Sequence, residues 1–311
     1  MHPTHLFSKS RLAIVLIASS LVSLAGCQSK PSSDATAPVL FDDFNHASLE
    51  DFNRSGWTVR TATGWPGIEG ATWDDAIAFV DDELHRGNRL VRMTAKTDGR
   101  ATRQAQFCHQ RKYYEGTYAA RVRFSDAPVA GPDGDQVVET FYTIMPLKAP
   151  LDPDYSEQDF EYLPNGGWGG GDLTLHNTTW ETVRLEPWLQ VSTSSSQRGS
   201  LEGWHTLVLQ IARPQVRYFL DGKLLATHGE PYFPESRMSI NFNLWFIRDG
   251  LIDSPQQRIY QEDVDWVFHE AGRVLSPAAV ELRVKELRAA GISFRDTVQA
   301  TTPALPSPCD F

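Results

Sequence analysis

Glu157-Gln158-Asp159-Phe160-Glu161-Tyr162-Leu163 alternates acidic residues with polar or aromatic ones. In an extended strand the side chains at i, i+2 and i+4 share a face. Glu157, Asp159 and Glu161 therefore line one side, and Gln158, Phe160 and Tyr162 the other. Three like charges in a row repel one another, which is a poor way to build a plain solvated surface. It is a good way to drive carboxyl pKa values apart, so that one acid stays protonated beside another that is ionised. Cleavage of a glycosidic bond needs that combination. Seven residues alone fit an exposed acidic strand equally well, so the surrounding chain has to decide.

Outward from this stretch, short alternating segments recur between Gly, Pro, Asn and Asp. The pattern predicts strands near 39–44, 57–60, 76–80, 89–95, 103–109, 117–124, 137–145, 157–163, 172–180, 204–212, 215–220, 223–228, 237–247 and 263–269. Regular spacing of this kind argues for an all-β sandwich. Asp221-Gly222 between two apolar runs is a hairpin signal. No helix of ordinary length fits before residue 276. Over 276–290, Ser276 as cap, Pro277 at the first turn and Gly291 as stop predict a helix with Val280, Val284 and Leu287 on one stripe.

The two faces of these strands differ in kind. Met238, Ile240, Phe242, Leu244 and Phe246 belong between sheets, leaving Asn241, Asn243 and Trp245 on the other face. In the 172–180 strand Thr174, His176, Thr178 and Trp180 share a face. Flat rings and amides together suit sugar, rings for stacking and amides for hydroxyls, whereas a lone His is more often structural. Tyr142 and Trp168 join His176, Trp180, Asn241, Asn243 and Trp245 as candidate binding residues. Nine Trp need a use. Trp65, Trp73, Trp168 and Trp188 lie in Gly- or Pro-containing loops, where they rim a cleft or cover a sheet edge. Trp57, Trp204 and Trp266 sit among aliphatics and are expected in the core.

Composition excludes some partners. A formal net charge of −10 without a Lys/Arg block leaves no basic footprint for nucleic acid. Lys9 and Arg11 precede an apolar run, Leu12 to Leu24, that is short for a membrane span. Leu24-Ala25-Gly26-Cys27 resembles a bacterial lipoprotein cleavage box, which implies a signal peptide over 1–26 and lipidation of Cys27. Residues 27–38 read as a tether. The expected protein is a monomeric domain over 39–275, with a helix and tail over 276–311, anchored in the cell envelope through lipid and facing the periplasm or exterior. In such a compartment Cys108 and Cys309 can pair or remain two thiols; the sequence leaves both open.

Together these residues resemble glycoside hydrolase family 16, the β-jelly-roll glycanases. Glu157-x-Asp159-x-Glu161 is similar to its signature. Phe41-Asp42-Asp43-Phe44-Asn45, Tyr114 to Val122, Trp204-His205-Thr206 with Tyr218 to Lys223, Asn241 to Trp245 and Val264 to Val267 look like its other segments, in its order. The resemblance covers about residues 40–270. It implies two antiparallel sheets with a concave carbohydrate cleft. Glu157 would be the nucleophile, Glu161 the general acid/base and Asp159 the group that tunes them. It also implies retaining endo-hydrolysis of a β-linked polysaccharide, with the uninterrupted signature favouring β-1,3/1,4 or β-1,4 glucans. A transglycosylase or a silent glucan-binding protein on the same scaffold are the alternatives.

No cofactor is implied. Some family members hold a structural calcium, for which Asp265 and the carbonyl of Gly87 match. Departures are Gln158 where an aliphatic is usual, Ala119 where Glu is frequent, and Glu139 where small residues are usual, a charge expected to fill or reshape the cleft.

Overall fold

Alternation decides which way each strand faces, and β15 (Ser239–Phe246) shows it cleanly. Its Ile240, Phe242, Leu244 and Phe246 are fully buried between two sheets, and Asn241, Asn243 and Trp245 turn to the opposite face. The computed structural model describes residues 37–307 and Cys309, except Asp75. The expected signal peptide, most of the expected tether and Cys27 lie outside the described residues.

The seven-stranded sheet runs β11 (Leu189–Arg198), β10 (Thr174–Arg184), β9 (Glu157–Leu163), β8 (Val137–Ile144), β15, β6 (Ala105–His109), β2 (Trp57–Val59). The ten-stranded sheet runs β14 (Lys223–Gly229), β13 (Gln215–Leu220), β12 (Gly203–Ala212), β7 (Gly116–Phe124), β16 (Arg258–Ala271), β1 (Val39–Asp42), β17 (Phe294–Asp296). Its β4 (Arg89–Thr97) also pairs with β16 and carries β3 (Ile77–Asp81) and β5 (Thr102–Arg103). Every pairing between strands is antiparallel.

An aromatic ladder crosses the interior beneath the seven-stranded sheet. Phe107, Phe242, Phe141 and Phe160 lie opposite one another on β6, β15, β8 and β9. Their ring centroids are 4.8, 5.1 and 6.1 Å apart along that row, and Phe160 meets Tyr218 of the facing sheet edge-on at 5.1 Å. Each such pair adds about 0.5–1.5 kcal/mol beyond burial.

The Asp221-Gly222 turn forms as predicted, with both residues at positive φ, as a tight type I′ hairpin requires. Helix α2 (Pro277–Ala289) is capped by Ser276 and buries Val280 and Val284. They pack on Phe41, Ala119, Trp266 and Phe268 of the ten-stranded sheet, so the small residue at 119 lies under the helix.

Two readings change. Trp57 and Trp266 are buried, but Trp204 is half-buried, with the Arg121 guanidinium over its ring at 5.5 Å. The strand β11 was not predicted; its Ser- and Thr-rich run has no apolar alternation because no residue in it is buried. One short helix, α1 (Leu49–Arg54), precedes α2, capped by Ser48.

The position of Glu139 is a further correction. It does not reach the sugar-type face. It shares parity with Val137 and Phe141 and points into the interior, where Glu262 of β16 is also fully buried. Each accepts one backbone N–H, from Ser125 at 3.0 Å and from Thr140 at 3.3 Å, and each leaves its other oxygen unpartnered. Burial pushes both carboxyls well above the usual range, and the Glu139 charge adds to the effect on Glu262. Acids protonated only in the fold stabilise it fully below their unfolded pKa, and that contribution is lost as pH rises through the folded values. Replacing both by Gln should therefore raise the melting temperature, and by more at pH 9 than at pH 5. The gain is expected to approach about 1.4 kcal/mol per pH unit for each group in that window, read by thermal unfolding across pH.

Candidate active site

Phe160 and Tyr162 are held in the interior, so Glu157, Asp159 and Glu161 must stand on the outer face of the seven-stranded sheet. Glu157 and Glu161 keep a solvent-facing edge, and Asp159 between them is buried. Cross-strand register then places their neighbours. Trp180 lies opposite Glu157, Thr178 opposite Asp159 and His176 opposite Glu161 on β10. On the other side Tyr142 lies opposite Asp159 and Thr140 opposite Glu161, with Asn241 and Asn243 one strand further.

Donors make the three acids unequal. Tyr155 donates its hydroxyl to Glu157 Oε2, and Trp180 donates its indole N–H to Asp159 Oδ2 at 2.8 Å. Burial pushes Glu157 up to about 7, opposed by the hydrogen bonds from Tyr155 and Asp159. Burial, then the charge of Glu157, pushes Glu161 up to about 8. Asp159 is driven well above the usual range by burial and by the charges of Glu157 and Glu161, so it is the protonated donor toward Glu157. The three titrate as one system. Within that system the hydrogen bonds from Tyr155 and Asp159 favour the charge on Glu157, and Asp159 keeps its own proton.

Aromatic rings flank the acids on both sides. Trp180 meets Trp188 edge-on at 6.4 Å toward β11. Trp245 lies 6.4 Å from both Trp65 and Trp168 toward the other end. Trp65, Trp168 and Trp188 are exposed, whereas Trp73 is buried beneath the Arg60 guanidinium at 4.0 Å. His176 is held neutral by burial, touches Trp168 edge-on at 5.6 Å, and its Nε2 has no partner within the protein.

The amides predicted to meet sugar are largely committed inside the sheet. Asn241 is fully buried, donates to the Tyr142 and Ser239 carbonyls and accepts from Ser239 Oγ. Asn243 accepts from Thr140 Oγ1 and donates to Tyr142 Oη at 3.3 Å.

Solved structures with this architecture are well defined. A Bacillus licheniformis β-glucanase is similar over 76% of this chain and 99% of its own, at 15% identity and a TM-score of 0.52. A family 16 endo-glucanase from Bacteroides ovatus matches 73% of this chain and 98% of its own, at 17% identity and a TM-score of 0.56. A laminarinase from Flavobacterium sp. UMI-01 matches 74% and 98%, at 15% identity and a TM-score of 0.53. The fold is that of the family 16 glycoside hydrolases. No family model matches the sequence, and no curated protein is similar to it.

On this family 16 fold the one carboxylate offered for a calcium, Asp265, does not fit that use. Asp265 is already met by a cation: Arg288 of α2 donates to its Oδ1 at 2.7 Å and to its Oδ2 at 3.3 Å. Asn88 donates to the same Oδ1 at 2.8 Å.

Three residues that matter were not singled out from the sequence. Tyr155 shares parity with Glu157 two residues on, a signal that was readable. Gln106, which donates to Tyr142 Oη at 2.7 Å, and Arg60, which donates to Gln106 Oε1 at 2.8 Å, come from distant strands that only the register brings together. If the Arg288 guanidinium holds α2 to Asp265, EDTA should leave the melting temperature unchanged. Arg288→Ala should lower stability by roughly 1.5–3 kcal/mol, the range for a charged hydrogen bond, measured by denaturant unfolding.

Proposed function

We propose that this protein is a retaining glycoside hydrolase acting on a β-linked glucan, with β-1,3/1,4 or β-1,4 backbones favoured. The observation that carries the reading is the strip Glu157, Asp159 and Glu161 on one face of β9, with donors on Glu157 and Asp159 and tryptophans on both sides. The neighbours of like fold include glucanases and a laminarinase, which supports the substrate class.

The chemistry follows from which acid its donors favour as the anion. Glu157, the anion, attacks the anomeric carbon while Glu161, protonated, gives its proton to the leaving oxygen. Glu161, now a base, takes a proton from water, which displaces Glu157 from the glycosyl-enzyme. Asp159 donates to Glu157 and steadies its charge; Trp180 fixes Asp159 from the other side. Exposed rings of Trp65, Trp168 and Trp188 suit stacking on sugar faces. The unpartnered His176 Nε2 suits a hydroxyl. Asn241 and Asn243 act through Tyr142, which they and Gln106 hold in place.

Purified protein on a polysaccharide panel, with reducing-end and anomeric readouts, tests this. Glu157→Ala should abolish cleavage and keep binding, and Glu161→Gln should cost roughly 10²–10⁴-fold. The pH optimum should lie between about 7 and about 8. In Tyr155→Phe the acid limb should move to higher pH, since the lost donor held the Glu157 pKa down. An inverted anomer, or activity surviving in Glu157→Ala, would sink the reading.

The same reading carries the lipid anchor inferred from the sequence before Cys27. Cys27→Ser should move the protein from the membrane to the soluble fraction in fractionated cells.

A further inference from the structure

The outer face of the seven-stranded sheet is open at its β11 edge and covered at β6, one strand in from its β2 edge. At β11 no residue is buried. At β6 the outward-facing Gln104, Gln106 and Cys108 are 0%, 1% and 0% exposed. Three separate pieces of chain make that cover.

Cys108 is bonded to Cys309 across 201 residues, which brings the C-terminal tail down onto this face. The tail is packed there: Ser307 and Cys309 are buried, and Leu305 forms a backbone bridge with Arg111. Gln106 is capped by Arg60, itself stacked on Trp73. Gln104 is capped by the loop after Trp65. Its side chain donates to the Pro66 carbonyl at 3.2 Å and accepts from Ile68 N at 3.2 Å and Phe246 N at 3.1 Å. The loop presses so close that a Cβ on Gly67 would lie 2.1 Å from Gln104 Oε1.

Register fixes where this cover stands relative to the acids. Cys108, Asn241, Tyr142 and Asp159 form one row across β6, β15, β8 and β9. At roughly 4.8 Å per strand, the disulfide lies about 14 Å from Asp159. A sugar chain that runs across the strands in this row meets the disulfide and its tail at β6.

We propose that the Cys309 tail, the Arg60–Trp73 pair and the 64–68 loop are the end wall of a one-ended cleft. Resting on the hydrolase reading of the same acids, this departs from the expected endo-action. The glucan enters over β11 and β10, crosses Glu157 and Glu161, and stops short of β6. Cleavage then releases short oligosaccharides from one end of the chain.

The test uses the full chain on a long linear β-glucan, following viscosity and new reducing ends together. Reducing ends should accumulate while viscosity falls slowly, with one short product size dominant from the first time points. Of two oligosaccharides blocked by a bulky group at opposite ends, only one should be cut. Cys309→Ser should lengthen the products and raise viscosity loss per bond cleaved several-fold. The blocked-oligosaccharide assay needs only the natural chain, so it decides the matter if that variant does not fold. Early collapse of viscosity, or equal cutting of both blocked substrates, overturns the wall and leaves the hydrolase reading intact. Failure to cut any β-linked glucan overturns both.

Discussion

The site depends on the interior aromatic ladder more than on any contact among the acids. Phe107, Phe242, Phe141 and Phe160 fix four strands in one register. A slip of one residue along β9 would send Phe160 to solvent and Glu157, Asp159 and Glu161 into the core. The hydrophobic cost of that slip is what holds three mutually repelling carboxyls on one face. Beside the ladder runs a polar row. Gln158 accepts from Thr143 Oγ1 at 2.8 Å, and Thr179, opposite Gln158, bonds Tyr218 and His228. Gln158 thus has a partner for its oxygen, and its Nε2 has none within the protein.

Charge is managed the same way on both sides of the sheet, by burial first and by local donors second. Inside, burial pushes His109 and His269 down to about 3, which leaves them neutral, and pushes Glu139 and Glu262 well up, toward their neutral forms. Outside, burial raises all three acids, and Tyr155 and Trp180 separate their roles. On the far face of the other sheet a guanidinium from α2 supplies the cation that Asp265 needs. The helix after the sandwich is thereby part of its electrostatics.

Much of this was legible wherever a residue's parity carried the information. The bounds of β9, the two faces of β15, the Asp221-Gly222 turn and the Ser276 cap all follow from spacing and residue type. Glu139 was readable too, since it shares parity with Phe141 and therefore faces the interior. What spacing could not carry was contact between distant segments. Nothing local joins Arg60 to Gln106, Cys108 to Cys309, or Arg288 to Asp265. β11 escaped because an edge strand with no buried face has no alternation to read. Trp204 was assigned to the core by its aliphatic neighbours, although an Arg beside it on the adjacent strand makes the sheet's outer surface an adequate place for its ring.

The Cys108–Cys309 bond closes a covalent ring that contains β7 to β17, and with them every acid and nearly every tryptophan of the site. In the chain-entropy view a ring of that size restricts the unfolded chain by about 5 kcal/mol. The bond that shuts one edge of the sugar-type face therefore also limits how far the unfolded chain can expand. Breaking it would loosen the global fold and unblock the sheet edge in a single chemical event.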